Sequence, residues 1–102
     1  MLGELIKWLE QQDPGLTVSH GFGAPYSYRG YYYDCGFEPV ENTTFGEMLG
    51  HAKDALGKTF EGWKGGDYTM ESYTECWIAE EGTTNADKIG PTLMRMWAAH
   101  AA

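Results

Sequence analysis

The segment from Phe22 to Phe37 carries the residue types best suited to holding a planar, negatively charged ligand. It contains seven aromatic side chains, with glycines, one serine and one arginine between them. Tyrosine offers a flat face and a hydroxyl, arginine offers a fork of donors that matches phosphate or carboxylate, and glycine lets a ligand approach the backbone closely. We therefore expect a ligand-binding surface here, with the candidate residues Ser27, Tyr28, Arg29 and Tyr31.

The same segment has a plainer interpretation, which the sequence leaves open. Tyrosine has a high preference for β-strands, so the rings can serve simply as strand residues. Arg29 can form a salt bridge with Asp34, Glu38 or an acid on an adjacent strand, a contact worth about 0.2 to 1 kcal/mol when exposed. The three consecutive tyrosines 31–33 argue against a purely structural role, because a strand would place large rings on both of its faces.

Three further regions carry side chains that can contact an anion or stack on a planar group. The turn GWKGGD sets Trp63 and Lys64 beside two glycines, although a plain hairpin turn explains this pattern better. The helix start IGPTLMR sets Thr92 and Arg95 where free N–H groups attract anions, although a surface helix beginning with proline explains it better. Trp77 is the remaining candidate for stacking. The sequence does not decide whether the three candidate cations meet in one pocket.

Residues for catalysis or metal binding form no recognisable pattern. A thiol nucleophile needs a histidine beside Cys35 or Cys76, and neither cysteine lies in a local motif of that kind. Zinc needs about four clustered cysteine or histidine ligands, whereas those of this chain are dispersed. We therefore expect a protein that is not an enzyme and has no metal and no cofactor. The cysteines are expected to be buried thiols, with a disulfide as the alternative if their strands are neighbours.

The composition limits the class of partner. Fifteen acids against seven bases give a formal net charge of -8, which disfavours non-specific binding to nucleic acid or to anionic membranes. No apolar run approaches the length of a membrane span, and the start of the chain is patterned as an amphipathic helix rather than a signal peptide, so we expect a cytoplasmic protein. A chain of 102 residues is expected to form one domain over residues 1–102 with a modest core. We expect a homo-oligomer, because assembly would help to stabilise such a domain.

The periodicity predicts the elements that position these residues. Leucines and an isoleucine at helical spacing predict a first helix that ends before Asp13, and residues 16–20 alternate as a short strand followed by the loop GFGAP. Residues 28–40 are then expected to form a strand whose odd positions, 29 to 37, pack the core. A β-bulge at Gly30 or Gly36 is the alternative.

The second half of the chain contains the clearest local signal. Thr44 and Glu47 form a capping box, and Gly57 suits the residue after the helix end, with an expected buried stripe of Phe45, Met48, Leu49, Ala52 and Leu56. Strands are expected at 58–63, 68–70 and 74–80, followed by a helix that begins at Pro91 with Leu93, Met94 and Trp97 facing inward. The expected fold is a small α+β domain in the order αββαββα, with a mostly antiparallel sheet.

The chain resembles a group of small proteins of bacteriophages and actinobacteria. The resemblance rests on the motifs SYRGYY, TFGEML, WKGG, TECW and IGPTLM, in this order along the chain. The resemblance covers nearly the whole chain after the first helix, and Tyr26 stands where histidine is common in that group. The resemblance carries no activity with it. By its size, expected fold and phage context the chain is also similar to phage anti-defence proteins that act as sponges for nucleotide-derived immune signals.

These observations lead to one principal hypothesis and two alternatives. The principal hypothesis is a phage protein, in the cytoplasm of an infected bacterium, that sequesters a cyclic-nucleotide or ADP-ribose-like signal without catalysis. Aromatic rings would hold the base and Arg29 the phosphate. The first alternative is an inhibitor that binds a host defence protein through tyrosines and an acidic surface. The second, and weaker, alternative is an enzyme that processes nucleotides.

Overall fold

The computed structural model describes residues 1–102 and contains three helices and six strands. They are α1 (Leu2–Glu10), β1 (Thr17–Ser27), β2 (Cys35–Thr44), α2 (Phe45–Ala55), β3 (Thr59–Glu61), β4 (Asp67–Thr69), β5 (Cys76–Ile78), β6 (Asp87–Lys88) and α3 (Pro91–His100). A four-stranded sheet has the order β1-β2-β5-β6, and β3 and β4 form a separate hairpin. Only the β2–β5 pair is parallel. The small α+β domain with a mostly antiparallel sheet is confirmed, and four short strands fill the interval between α2 and α3.

Helices α1 and α2 form where local sequence signals predict them. The stripe of α1, consisting of Leu2, Leu5, Ile6 and Leu9, is buried. At the start of α2 the Thr44 side chain accepts a hydrogen bond from the Glu47 backbone N–H at 3.1 Å. Gly57 follows the helix with φ +78°, a conformation that costs glycine little. The expected burial of Leu56 is wrong, since its side chain is 45% exposed and Ala55 is buried in its place.

The β1–β2 hairpin differs from the expected pattern. Residues 21–25, expected to be a loop, lie inside β1, and the ladder is irregular between Phe22 and Pro25. The ring of Phe22 packs on that of Phe37 with 4.3 Å between centroids, and both are fully buried. This contact fixes the register between the two long strands, and the irregularity lies there rather than at Gly30 or Gly36.

Residues 28–34 form the connection between β1 and β2, so the expectation of a strand beginning at residue 28 is wrong. The loop is closed by backbone hydrogen bonds, from Tyr28 N–H to the Asp34 carbonyl at 3.0 Å and from Asp34 N–H to the Tyr31 carbonyl at 2.9 Å. Tyr31 and Tyr33 are therefore 59% and 61% exposed rather than part of the core. Of the odd positions expected to pack the core, only Cys35 and Phe37 of β2 are buried.

The core lies between the sheet and the helices. Helix α3 contributes Trp97, which is buried, while Leu93 and Met94 are partly buried against the same cluster. Cys35 and Cys76 are paired neighbours on β2 and β5, and both thiols are buried and free. None of the three helices is long and apolar enough to cross a membrane.

Candidate binding site

Arg29 joins three loops at one end of the hairpin. Its Nη1 donates a hydrogen bond to the Gly82 carbonyl at 2.5 Å, and its guanidinium carbon lies 4.8 Å from the centroid of the Trp63 ring. Gly82 has φ +85°, and a Cβ there would lie 2.6 Å from the Trp63 ring. The guanidinium thus contacts a backbone carbonyl and a tryptophan ring. It forms no ion pair with Asp34 or Glu38.

A pocket of about 290 Å³ lies beside this contact, between Trp63 and the end of β1. Its lining includes Tyr26 and Ser27 of β1 together with Glu61 and Glu81. The Ser27 hydroxyl already donates to the Tyr32 carbonyl at 2.7 Å. Neither glutamate takes part in an ion pair, so the lining carries net negative charge. This charge disfavours a phosphate group inside the pocket.

Two of the expected stacking residues stack on each other. Tyr28 and Trp77 lie nearly parallel, with an interplanar angle of 20° and 5.2 Å between their centroids. The Tyr28 hydroxyl donates to the Thr84 carbonyl at 3.2 Å, and the Trp77 indole N–H donates to Asp34 Oδ2 at 2.9 Å. Burial raises the pKa of Asp34 above its ordinary value, although the Trp77 hydrogen bond opposes this shift. Tyr28 is 6% exposed and offers little ring surface to a ligand, whereas Trp77 is partly exposed.

A second group of tyrosines is turned outward. Tyr31, Tyr33 and Tyr73, which we call the tyrosine surface, line one depression of about 400 Å³ together with Asp34 and Glu75. Tyr73 is 70% exposed, more than either of the other two. Tyr31 and Tyr33 lie 5.9 Å apart by ring centroids. The tyrosine surface combines large flat rings, three hydroxyls and carboxylates at the edge of the loop 28–34.

An aromatic support holds part of this surface in place. The ring of Tyr33 meets that of Tyr68 edge-on, with 4.8 Å between centroids, and Tyr32 contacts the same Tyr68 ring at 5.4 Å. Tyr68 belongs to β4, so the β3–β4 hairpin fixes the loop that carries Tyr31 and Tyr33. Such support reduces the side-chain freedom that a partner would have to remove on binding.

The nine expected site residues therefore divide into separate groups. Arg29 and Trp63 meet, with Lys64 next to them in the exposed turn 62–66, and Ser27 lines the adjoining pocket. Tyr28 and Trp77 form their own stack, and Tyr31 belongs to the tyrosine surface. Thr92 and Arg95 are exposed on α3 and do not line the pocket beside Trp63.

Sequence reasoning missed Tyr33 and Tyr73 as surface residues. The expected alternation assigned Tyr33 to the core, and the sequence gives no signal at Tyr73, which stands alone between polar residues. The run of three tyrosines was the available signal, since a half-buried strand cannot bury consecutive rings.

The arrangement of the cysteines offers no activated nucleophile. The neighbouring Cys76 thiol and burial both raise the pKa of Cys35, which makes its thiolate scarce. No three or more histidine, cysteine, aspartate or glutamate residues lie close enough together to hold a metal ion.

Comparison with known proteins adds no assignment. The chain matches no protein-family model, no curated protein and no solved structure. The resemblance to bacteriophage and actinobacterial proteins stays a prediction, and the function must be argued from the geometry.

Proposed function

We propose that the protein is a non-catalytic binding protein that recognises a partner protein through the tyrosine surface. The observation that carries the proposal is the exposure of Tyr31, Tyr33 and Tyr73, between 59% and 70%, around a single depression. Single exposed apolar residues are normal, but adjacent large rings around a concavity are typical of binding surfaces. Tyrosine supplies a large contact area at low conformational cost, which makes it common in protein-binding surfaces.

The charge of the chain indicates the kind of partner. Asp34 and Glu75 border the tyrosine surface, and the whole chain has a formal net charge of -8. Glu75 lies 3.6 Å from Lys88 Nζ and 3.8 Å from the N-terminal ammonium, so its charge is compensated and the preference for a cation comes from the net charge of the whole chain. Opposite charges steer association, and two copies of this chain repel each other. We therefore favour a basic partner over a second copy, and a host defence protein is the partner if the protein belongs to a phage.

The test uses a double variant and a matched control. Tyr31→Ala with Tyr73→Ala removes two exposed rings that make no hydrogen bond within the protein. The control, Leu56→Ala, removes another large apolar side chain, 45% exposed, that lies outside the tyrosine surface. Partners captured from bacterial extracts by the wild-type protein are purified, and their dissociation constants are measured for all three proteins. The affinity of the double variant for the partner should fall about tenfold or more, as expected for interface tyrosines. Leu56→Ala should bind the partner like the wild type.

Two results would contradict this proposal. If a captured partner binds the double variant as tightly as it binds the wild type, that partner does not use the tyrosine surface. A wild-type protein that sediments as a dimer, and becomes a monomer in the double variant, has a second copy as its partner. Thermal melting of the three proteins checks that the substitutions leave the fold intact.

Sequestration of a nucleotide-like signal is the second candidate, favoured by the pocket next to the Arg29–Trp63 contact. Release of the guanidinium from the Gly82 carbonyl would free it for a phosphate beside the pocket. The test is incubation with a nucleotide panel, filtration, heat denaturation and mass spectrometry of what is released. Arg29→Ala should abolish retention, and Arg95→Ala is the matched control. Retention that survives Arg29→Ala would contradict this candidate, and an altered ligand would indicate an enzyme.

A further inference from the structure

A groove between β1 and α3 shares no residue with the surfaces described above. Its first part has a volume of about 220 Å³, and four of its seven lining residues, Val18 of β1 and Leu93, Met96 and Trp97 of α3, are apolar. The others are Ser19 and His20 of β1 and His100 of α3. We call this space the apolar part. Met96 is 55% exposed, although it is a large apolar side chain. The groove therefore presents apolar surface to water at a concave site.

The walls of this apolar part are held in place by buried contacts. The Trp97 indole N–H donates a hydrogen bond to the His20 carbonyl at 2.8 Å. The Trp97 ring also packs on Trp8 and Phe22, with 6.2 and 5.9 Å between centroids. Because Trp97 is 5% exposed and joins α3 to β1, the site is formed before any ligand arrives.

The groove continues into a negatively charged depression. His20 and Leu93 line both the apolar part and an adjoining space of about 510 Å³. This second space contains Glu41, Glu80 and Asp87 beside apolar strand residues. None of these three carboxylates forms an ion pair, whereas the ion pairs of the chain involve other acids. An apolar chamber thus opens directly onto uncompensated negative charge.

We propose that this groove binds a small organic cation, an ammonium ion that carries an apolar group. The apolar group would lie against Leu93 and Met96 in the space beside the largely buried Trp97, where its removal from water is favourable. The ammonium group would lie over Glu80 and Asp87, where the Coulomb energy favours a cation and opposes a carboxylate. A volume of about 220 Å³ beside Trp97 suits one aromatic ring or a short alkyl chain better than a large ligand.

The test uses three probes with the same apolar group and different charges. Phenethylamine, phenethyl alcohol and hydrocinnamate all carry a phenyl ring on a two-carbon chain, and they end in a cation, a neutral hydroxyl and an anion. Binding is followed through the NMR signals of the Trp97 indole N–H and the Met96 methyl group. The amine should bind about three- to tenfold more tightly than the alcohol, the carboxylate should bind most weakly, and added salt should reduce the difference.

Variants at the acidic end separate the charge effect from simple apolar binding. Glu80→Gln with Asp87→Asn should lower the affinity for the amine to that for the alcohol and leave the alcohol unchanged. Glu81→Gln is the control, since it removes one negative charge next to Glu80 but lies outside the groove. Equal affinity for the three probes would overturn the proposal. An amine affinity that survives the double variant, or that falls equally in the control, would overturn it too.

Discussion

Replacing Tyr26 by phenylalanine tests whether the end of the β1–β2 hairpin is fixed by one buried hydroxyl. Tyr26 is 6% exposed, and its hydroxyl donates a hydrogen bond to the Ala79 carbonyl just after β5. Its ring lies against Gly36, where an added Cβ would be 2.5 Å from the ring. The substitution therefore keeps the ring packing and removes only the hydroxyl and its hydrogen bond.

The size of the effect follows from the burial of both partners. A hydrogen bond of this kind contributes about 1 kcal/mol net, and a buried acceptor left without a donor costs about 1 to 3 kcal/mol. Ala79 is only 3% exposed, so water replaces the lost donor poorly. We expect Tyr26→Phe to lower the free energy of unfolding by about 1 to 2 kcal/mol at neutral pH. For a domain of this size the melting temperature should fall by about 5 to 15 °C.

The pH dependence gives an independent check on the same hydroxyl. Burial, assisted by the nearby charge of Glu38, raises the pKa of Tyr26 above its ordinary value of 10.0. Above pH 10 the unfolded chain releases this proton while the folded protein retains it, so ionisation favours unfolding and stability falls as the pH rises. Phenylalanine has no proton to release. The stability advantage of the wild type over Tyr26→Phe should therefore shrink above pH 10.

The assay is urea denaturation of the wild type, Tyr26→Phe and Tyr73→Phe at pH 7 and at several values above 10. Tyr73→Phe is the matched control because it makes the same chemical change at a side chain that is 70% exposed. The control should stay within about 0.5 kcal/mol of the wild type, as is usual for surface substitutions. The reasoning is refuted if Tyr26→Phe behaves like this control at pH 7, or if its deficit is constant through the alkaline range.

Three further predictions concern other parts of the fold. Cys35 and Cys76 should react with a thiol reagent only after unfolding, and rapid modification of the native protein would contradict their burial. Because the pKa of Asp34 is raised, ionisation of this carboxyl destabilises the folded state as the pH rises from about 3.8. Asp34→Asn keeps an oxygen for the Trp77 indole N–H, and should flatten this part of the pH–stability profile; an unchanged profile would exclude the effect. Thr44→Ala removes the helix cap of α2 and should cost about 1 kcal/mol in urea denaturation, whereas no loss would mean that water caps the helix equally well.

The elements that the sequence predicts well depend on residues close together in the chain. The cap of α2 joins Thr44 to Glu47, and the stripe of α1 repeats within nine residues. The hairpin was predicted less well because its register depends on Phe22 meeting Phe37 across two strands. Once that contact is made, residues 28–34 become a connection and the tyrosines 31 and 33 turn outward.

The candidate sites follow the same division between local and distant contacts. The sequence by itself determined that this chain is an acidic α+β domain with an aromatic tract around Arg29. Only the tertiary structure decided which rings are free, because the partner of Arg29 is Gly82, 53 residues away, and that of Tyr28 is Trp77. Both contacts use side chains that the sequence suggests for a ligand. Tyr31, Tyr33 and Tyr73 remain exposed. The groove at α3 is likewise invisible in the sequence, since burial of Trp97 brings together residues that share no local pattern.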